Sequence, residues 1–210
     1  MITVFTPTYN RAQYLARAYF SLCKQTCQDF EWLIVDDGST DDTQIWCDHI
    51  DKCWYPGRFR ARVAIQTHGG KHMAHNFAMD LARGEWLTIL DDDDELMPCA
   101  IEQMTYYTSK LPADYVGAVG LCVTNGEVHP TEKIGVMRTA EVKRHRFPAL
   151  RGFVPEGIVW YRMVGKWKHT DEIWRVYHQD APHRLSDVRP SLRARLHWYW
   201  IRLTLIGQYA

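Results

Sequence analysis

The first 110 residues repeat one pattern that restricts the folds open to the chain: a short apolar run, a polar turn and an amphipathic helical stretch. The four apolar runs have the length of short strands and comprise residues 2–5, 31–35, 63–65 and 85–90. Strands that alternate with single helices form right-handed crossovers, so that their sheet is mainly parallel. The pattern therefore predicts an α/β fold with a mainly parallel central sheet and helices on both of its faces.

A polar cluster follows each of the four predicted strands. The clusters are residues 6–11, Asp36 with Asp37, residues 68–71, and the run from Asp91 to Asp94. Because ligands bind beyond the carboxyl ends of parallel strands, we expect all four clusters to line one edge of the sheet. A divalent cation would relieve the repulsion within the aspartate run, with Asp91 and Asp93 turned toward it. The alternative is a solvated acidic turn before the next helix.

Length and charge limit the classes of function. The 210 residues suffice for one domain with a core, and the 25 basic residues balance 25 acidic ones, so no overall field attracts nucleic acid. Six cysteines without a CxxC pair predict reduced thiols and a cytosolic setting rather than a zinc site. We expect a soluble or peripherally attached protein, because the chain shows no signal peptide and no apolar run of ~18 residues.

The second half of the chain carries weaker patterns. Residues 98–110 predict a helix and residues 115–123 a strand, whereas the polar stretch 125–152 predicts a long loop. The basic run 143–146 within it would either meet a phosphate-bearing acceptor or be a solvated charge run. The remaining histidines of interest are expected on the surface or in loops, and they are His68, His72, His75 and His129.

The last 27 residues, 184–210, form a tail of distinct composition. They contain five arginines and one acidic residue, Asp187, and their apolar residues recur at spacings of three or four. This pattern predicts a C-terminal basic amphipathic helix that follows a catalytic domain over residues 1–183. Tryptophans beside the apolar stripe favour peripheral membrane contact. Packing on the catalytic domain and self-association are the alternatives.

Four motifs, taken in order, resemble the family 2 glycosyltransferases of GT-A fold. They are TPTYNR at residues 6–11, VDDGSTDDT at residues 35–43, a glycine-rich turn followed by Asn76, and LDDDDEL at residues 90–96. The resemblance implies a Rossmann-like GT-A domain with a nucleotide-sugar-binding half, residues 1–110, and an acceptor half, residues 111–183. It also implies inverting transfer of a sugar from a nucleoside diphosphate, with UDP expected, to a saccharide or lipid-linked acceptor. Such enzymes serve cell-surface polysaccharide or glycolipid synthesis, here at the inner face of the cell membrane.

The resemblance assigns a set of residues to the donor. They are Thr6, Pro7, Tyr9, Arg11, Asp37, Lys71, Asn76, Asp91 and Asp92. Asp37 would accept the N3 hydrogen of uracil, unless it is only a turn residue that caps the next helix. Lys71 would contact the base or the diphosphate at a helix start, or else be solvated. Asn76 would hold the loop geometry around the donor.

The resemblance also implies a metal site and a general base. The family's DxD motif corresponds to Asp91 and Asp93, which would hold Mn²⁺ or Mg²⁺, and His178 is the expected third ligand. Glu156 corresponds to the catalytic base of inverting relatives, although Gly157 stands where many of them carry a second acid. The alternative for Glu156 is a glutamate that merely favours a helix start.

Two other classes of function remain open. A non-catalytic sugar-nucleotide-binding module would bind a donor without turnover. A nucleotidyltransferase of related fold would need a glycine-rich basic loop after the first strand to hold a triphosphate. Residues 6–11 contain no glycine, which disfavours the nucleotidyltransferase.

Overall fold

The computed structural model describes residues 1–52, 59–150 and 165–180, together with residues 154, 159, 162 and 163. The predicted base Glu156 and the tail 184–210 lie outside the described residues. Among the helices that are described, none has the length and hydropathy needed to cross a bilayer.

The described residues form alternating strands and helices, followed by a strand-rich second half. The strands are β1 (Ile2–Thr8), β2 (Phe30–Asp36), β3 (Arg60–Ile65), β4 (Trp86–Ile89), β5 (Glu95–Leu96), β6 (Tyr115–Thr124), β7 (Glu127–Arg138) and β8 (Lys166–Val176). The helices are α1 (Ala12–Cys23), α2 (Thr43–Lys52), α3 (Lys71–Leu81), α4 (Ala100–Ser109) and α5 (Thr139–Arg144).

Within the described residues, the eight strands make one sheet in the order β3-β2-β1-β4-β7-β6-β8-β5. The first four strands are parallel, with β1 between β2 and β4. The chain therefore builds the sheet in one direction from β1 to β3 and then in the other with β4. Such a reversal opens a crevice at the carboxyl ends of the two strands on either side of it, here β1 and β4. The prediction of a mainly parallel α/β fold is confirmed.

Helices cover both faces of the parallel strands, which explains why β1 and β2 are buried along their whole length. Parallel strands enclosed on both faces contain nearly continuous apolar runs. On one face, Trp32 of β2 packs in a cluster with residues of α1 and α4. On the other face, Phe5 and Val35 pack against Ala74 and Ala78 of α3. The core therefore fixes where each strand ends and each loop begins.

The prediction of a long loop over residues 125–152 is wrong. Residues Asn125 and Gly126 both have positive φ, 53° and 83°, and they join β6 to β7 as the two-residue turn of a hairpin. β7 then pairs antiparallel with β4 as well as with β6, and α5 follows it. The strand was missed because its polar and charged residues do not alternate cleanly with apolar ones.

Candidate active site

The carboxyl ends of the central strands bring the predicted polar clusters together. Thr8, the last residue of β1, contacts two of them. Its carbonyl oxygen accepts a hydrogen bond from the Asp37 backbone N–H at 2.9 Å, and its Oγ1 donates to Asp92 Oδ2 at 2.9 Å. The loops after β1, β2 and β4 thus meet at one edge of the sheet.

The aspartate run forms a tight turn after β4 in which three carboxylates converge. Oxygens of Asp91, Asp93 and Asp94 lie within 4.8 Å of one another. Asp93 and Asp94 are buried, whereas Asp91 is partly exposed. A group of this kind offers only oxygen atoms, the donors that Mg²⁺ and Mn²⁺ prefer. The residues present therefore fit the predicted metal, with Asp94 added to the expected pair.

Arg11 crosses from the loop after β1 to neutralise part of the cluster. Its Nε lies 2.8 Å from Asp92 Oδ1, and its Nη2 lies 2.5 Å from Asp93 Oδ2. The pKa of Asp92 is raised to about 7, mainly by burial and further by the neighbouring Asp93 charge. Arg11 and the Thr8 hydroxyl favour the charged form and offset part of this rise. Arg11, in turn, has a raised pKa because its two carboxylate partners outweigh the cost of burial. The guanidinium thus pairs with two carboxylates of the aspartate run at once.

Two further cations face the other half of the cluster. Lys71 Nζ lies 2.8 Å from Asp91 Oδ1, and Arg175 Nη1 lies 3.5 Å from Asp94 Oδ2. Burial opposes the ionisation of Asp91, but Lys71 and Arg175 outweigh it and hold the pKa of Asp91 at about 2. Burial raises the pKa of Asp94 to about 7, against the attraction of Arg175 and with the repulsion of Asp91. Lys71 is thus paired with Asp91, which disfavours the simple solvated lysine.

Asp37 is buried beside the loop that follows β3, next to the aspartate run. Its Oδ1 accepts hydrogen bonds from Gln66 Nε2 at 2.6 Å and from Gly69 N at 2.9 Å. Its Oδ2 accepts one from Gly70 N at 2.8 Å and lies 2.8 Å from His68 Nδ1. Gly70 has a φ of 92°, a conformation that glycine adopts without strain, so its N–H can face Asp37 immediately before α3 begins. The buried carboxylate therefore organises the loop after β3.

Asp37 is not the residue that caps α2. Asp36 Oδ1 accepts from Ser39 N at 3.0 Å and from Ser39 Oγ at 2.5 Å, which closes the turn after β2. Asp41 Oδ1 accepts from Thr43 N at 2.9 Å, at the first residue of α2. These two aspartates take the structural roles that were the alternative for Asp37. The Asp37 carboxylate is consequently directed toward the loop that carries His68.

The three residues expected to pack around the base, Thr6, Pro7 and Tyr9, differ from one another in exposure and in contacts. Tyr9 is 39% exposed, and its ring stacks on His68 with centroids 4.1 Å apart and an interplanar angle of 23°. Pro7 is buried within β1. Thr6 lies in the core, where its Oγ1 accepts a hydrogen bond from Trp32 Nε1 at 2.9 Å. Thr6 thus points into the core, on the opposite face of the strand from Pro7.

Asn76 and its neighbours on α3 hold the segment that follows α5. Asn76 donates from Nδ2 to Phe147 O and accepts from Phe147 N, both at 2.9 Å. His72 Nε2 lies 3.0 Å from Leu150 O, and the His75 ring contacts Phe147 edge-on. The expectation that His72 and His75 are surface residues is therefore wrong, since α3 buries this face under the segment. Asn76 is thus bonded to the segment that follows α5, and its role around the donor stays a prediction.

His178 is placed beside the cluster by its backbone rather than by its ring. The His178 N–H donates to Asp94 Oδ1 at 2.9 Å. The ring Nε2 lies 2.9 Å from Glu95 Oε1 instead. The ring of His178 is thus paired with Glu95, and the carboxylate that the structure places beside Asp91 and Asp93 is that of Asp94.

The basic run 143–146 is engaged within the chain. Arg144 and His145 both contact Glu141, and Arg146 forms a two-nitrogen ion pair with Asp80 on α3. Three of its four basic side chains thus contact carboxylates of the chain itself, which favours the alternative of a charge run without an acceptor phosphate.

Two residues that complete the site, Arg175 and Gln66, were not predicted from the sequence. His68 belongs to the predicted polar cluster 68–71, but it was expected only as a surface or loop histidine. Arg175 lies in β8, far along the chain from the aspartates that it faces, and only the sheet order brings them together. Gln66 directly follows β3, just before the predicted cluster 68–71. Its position after a parallel strand was a usable signal, because that is where the polar clusters were found.

A comparison with protein families agrees with this geometry. The family model described as "Glycosyl transferase family 2" matches residues 3–180. The chain belongs to glycosyl transferase family 2. Two curated members are Glycosyltransferase GlyG of Streptococcus pneumoniae serotype 4 and a chondroitin synthase of Pasteurella multocida. GlyG is 36% identical over 117 residues, which cover 55% of this chain and 38% of GlyG. The chondroitin synthase is 32% identical over 209 residues, which cover 86% of this chain and 21% of the synthase.

This family 2 chain thus spans about two fifths of the length of GlyG and about one fifth of the length of the chondroitin synthase. Among solved structures, Staphylococcus aureus TarS 1-349 in complex with UDP-GlcNAc superposes with a TM-score of 0.72. The superposition covers 90% of this chain and 62% of TarS at 23% identity, a likeness that shows the shared GT-A fold.

Proposed function

We propose that the chain is an inverting glycosyltransferase that moves a sugar from a UDP-sugar to an acceptor hydroxyl with the help of Mn²⁺ or Mg²⁺. The observation that carries the proposal is the position of Thr8, which is hydrogen-bonded both to the Asp37 backbone and to Asp92 and so brings Asp37 next to the aspartate cluster. A nucleoside diphosphate needs both features, because its base offers N–H groups and its diphosphate needs positive charge. The solved structure of TarS, which has this fold, contains UDP-GlcNAc.

The aspartate cluster would hold the cation through Asp91, Asp93 and Asp94. A divalent ion there would neutralise the charge that develops on the departing diphosphate. The same carboxylates now attract Arg11 and Lys71. When a cation neutralises them, both basic side chains would turn toward the diphosphate and bind its oxygens. This exchange of partners keeps the cluster neutralised with and without donor.

Glu156 is the proposed general base. The acceptor oxygen would lose its proton to the Glu156 carboxylate and attack the anomeric carbon from the side opposite the diphosphate, which inverts the configuration. The sugar ring has oxocarbenium character in the transition state, so stabilisation of the leaving group is the larger electrostatic contribution. Asn76 would support this step indirectly, because it anchors Phe147 in the segment that leads to Glu156.

The proposed acceptor is a saccharide or a lipid-linked saccharide in cell-surface polysaccharide or glycolipid synthesis. The match to a chondroitin synthase over 86% of this chain supports a polysaccharide. The basic tail 184–210 would keep the protein at the inner face of the cell membrane, where lipid-linked acceptors are reached. A non-catalytic binding module, the alternative, would bind the donor and leave it intact.

Thermal unfolding with a panel of nucleotide sugars tests the donor assignment. A ligand at 100 times its Kd stabilises the native state by about 2.7 kcal/mol. We expect the melting temperature to rise with a UDP-sugar in Mn²⁺, and to rise much less in EDTA. A CDP-sugar should have little effect, because cytosine has no ring N–H for Asp37. Equal shifts with CDP-sugars and UDP-sugars, or equal shifts in EDTA, would contradict the proposal.

A further inference from the structure

Four groups from the loop after β3 already surround the Asp37 carboxylate. An ionised carboxylate has two oxygens and about four lone-pair positions. Gln66 and Gly69 donate to Oδ1 and Gly70 donates to Oδ2, at distances of 2.6 to 2.9 Å. His68 Nδ1 lies 2.8 Å from Oδ2 and is hydrogen-bonded to the Asp37 carbonyl oxygen at 3.2 Å. A base N–H can therefore reach Asp37 only if one of these four donors leaves.

His68 is the donor that can leave without disturbing the fold. Two of the others are backbone N–H groups at the start of α3, and their positions are fixed by the helix. The third, Gln66, is partly buried, and its backbone N–H is bonded to Asp36 O at 3.0 Å. The His68 side chain is 54% exposed and needs only a side-chain rotation to withdraw. Departure of His68 would free one position on Oδ2.

The His68 ring also occupies the surface on which a base would stack. It lies nearly parallel to the Tyr9 ring, with centroids 4.1 Å apart. Its Nδ1 must carry a proton to donate to Asp37, so the ring presents a planar face to Tyr9 and an N–H to Asp37. A uracil base presents the same two features, a planar face and the N3–H.

We propose that the His68 side chain occupies the nucleobase site in the free protein and must rotate out of it when the donor binds. The inference rests on the proposed function, since it concerns the base subsite of the UDP-sugar site. It follows that the wild-type protein binds UDP more weakly than the same protein would without the His68 ring. Removing the ring should therefore strengthen the binding of ligands that have a base and leave ligands without a base unaffected.

Calorimetric titration of the full chain with UDP and with pyrophosphate, both in Mn²⁺, tests the proposal. We expect His68→Ala to bind UDP about fivefold more tightly than wild type, since one hydrogen bond no longer has to be exchanged. Pyrophosphate affinity should stay the same. His49→Ala is the matched control, because His49 is an exposed histidine on α2, and it should match wild type with both ligands.

Proton NMR of the histidine rings gives a second readout that does not depend on a variant's stability. The ring signal of His68, assigned by its loss in His68→Ala, should move when UDP is added to wild type and stay in place with pyrophosphate. Unchanged or weaker UDP binding by His68→Ala, or a His68 signal that does not shift on addition of UDP, would overturn the inference. The proposed UDP site would still stand. Absence of UDP binding by wild type and variant alike would refute the proposed function and the inference with it.

Discussion

Replacement of Asp92 by asparagine should stabilise the metal-free protein, and more so as the pH rises. Asp92 is buried, and its pKa is raised to about 7 by burial and by its acidic neighbours, against the attraction of Arg11. The folded state therefore keeps a proton that the unfolded chain has released. Stability contributed by such a group falls as the pH rises from its ordinary pKa toward its raised one. Asparagine keeps the shape of the side chain and has no proton to lose.

The size of the effect follows from the two pKa values. Between pH 5 and pH 8 the unfolded carboxyl is ionised throughout, whereas the folded one stays protonated up to about pH 7. Over roughly two of these pH units only the folded state holds the proton. At 1.36 kcal/mol per unit, the free energy of unfolding of the wild type should fall by about 2–3 kcal/mol over this range. Asp92→Asn should lack this loss. Asp94 would add a loss of the same sign, because its pKa is also raised to about 7, and this part should persist in the variant.

Urea unfolding in EDTA at pH 5 and at pH 8 measures the difference. The quantity of interest is the change in unfolding free energy between the two pH values, which is insensitive to constant effects of the substitution. Asp80→Asn is the control, because the hydrogen bond and charge of Arg146 lower the pKa of Asp80, so this residue stays ionised across the range. If wild type and Asp92→Asn lose equal stability between pH 5 and pH 8, the account of Asp92 as a buried, disfavoured carboxylate is refuted.

Three further predictions concern the donor, the base and the tail. Asp37→Ala should weaken the binding of UDP by on the order of 1–3 kcal/mol and the binding of a ribose-phosphate fragment far less. Calorimetry that shows no change in UDP binding would exclude a role of Asp37 in base recognition. Glu156→Gln should lower the transfer rate by roughly 10²–10⁴ with donor affinity nearly intact, so a variant with the normal rate would remove Glu156 as the base. The full chain should co-sediment with anionic vesicles at low salt more than a chain cut after Asp187, and equal recovery of both in the supernatant would contradict membrane contact by the tail.

The parts of this fold that could be predicted from the sequence are those governed by local periodicity. The strands β1, β2 and β4 are short apolar runs, and each is followed by polar residues that the parallel sheet brings to one edge. Asp37 and the aspartate run were found for that reason. Local patterning also located α3, although it did not show that His72 and His75 are buried by the segment after α5.

The features that were missed depend on contacts between distant parts of the chain. Arg175 meets Asp94 only because β8 pairs with β5. His178 was expected at the metal, but the same strand pairing brings its backbone to Asp94 and its ring to Glu95. The Asn-Gly pair at residues 125 and 126 did carry a hairpin signal. It was overlooked because the polar sequence of β7 resembles that of a loop.

The rate of UDP-sugar consumption by wild type and by Asp93→Asn, each with Mn²⁺ and with EDTA, tests the central claim most directly. Asparagine removes one charge from the cluster while keeping the shape of the side chain, and the melting temperature of the variant establishes that it is folded. The account predicts that wild type consumes at least one UDP-sugar in Mn²⁺ and that this activity is lost both in EDTA and in Asp93→Asn. Activity that persists undiminished in EDTA or in the variant, or donor binding without turnover across a panel of saccharide acceptors, would contradict it.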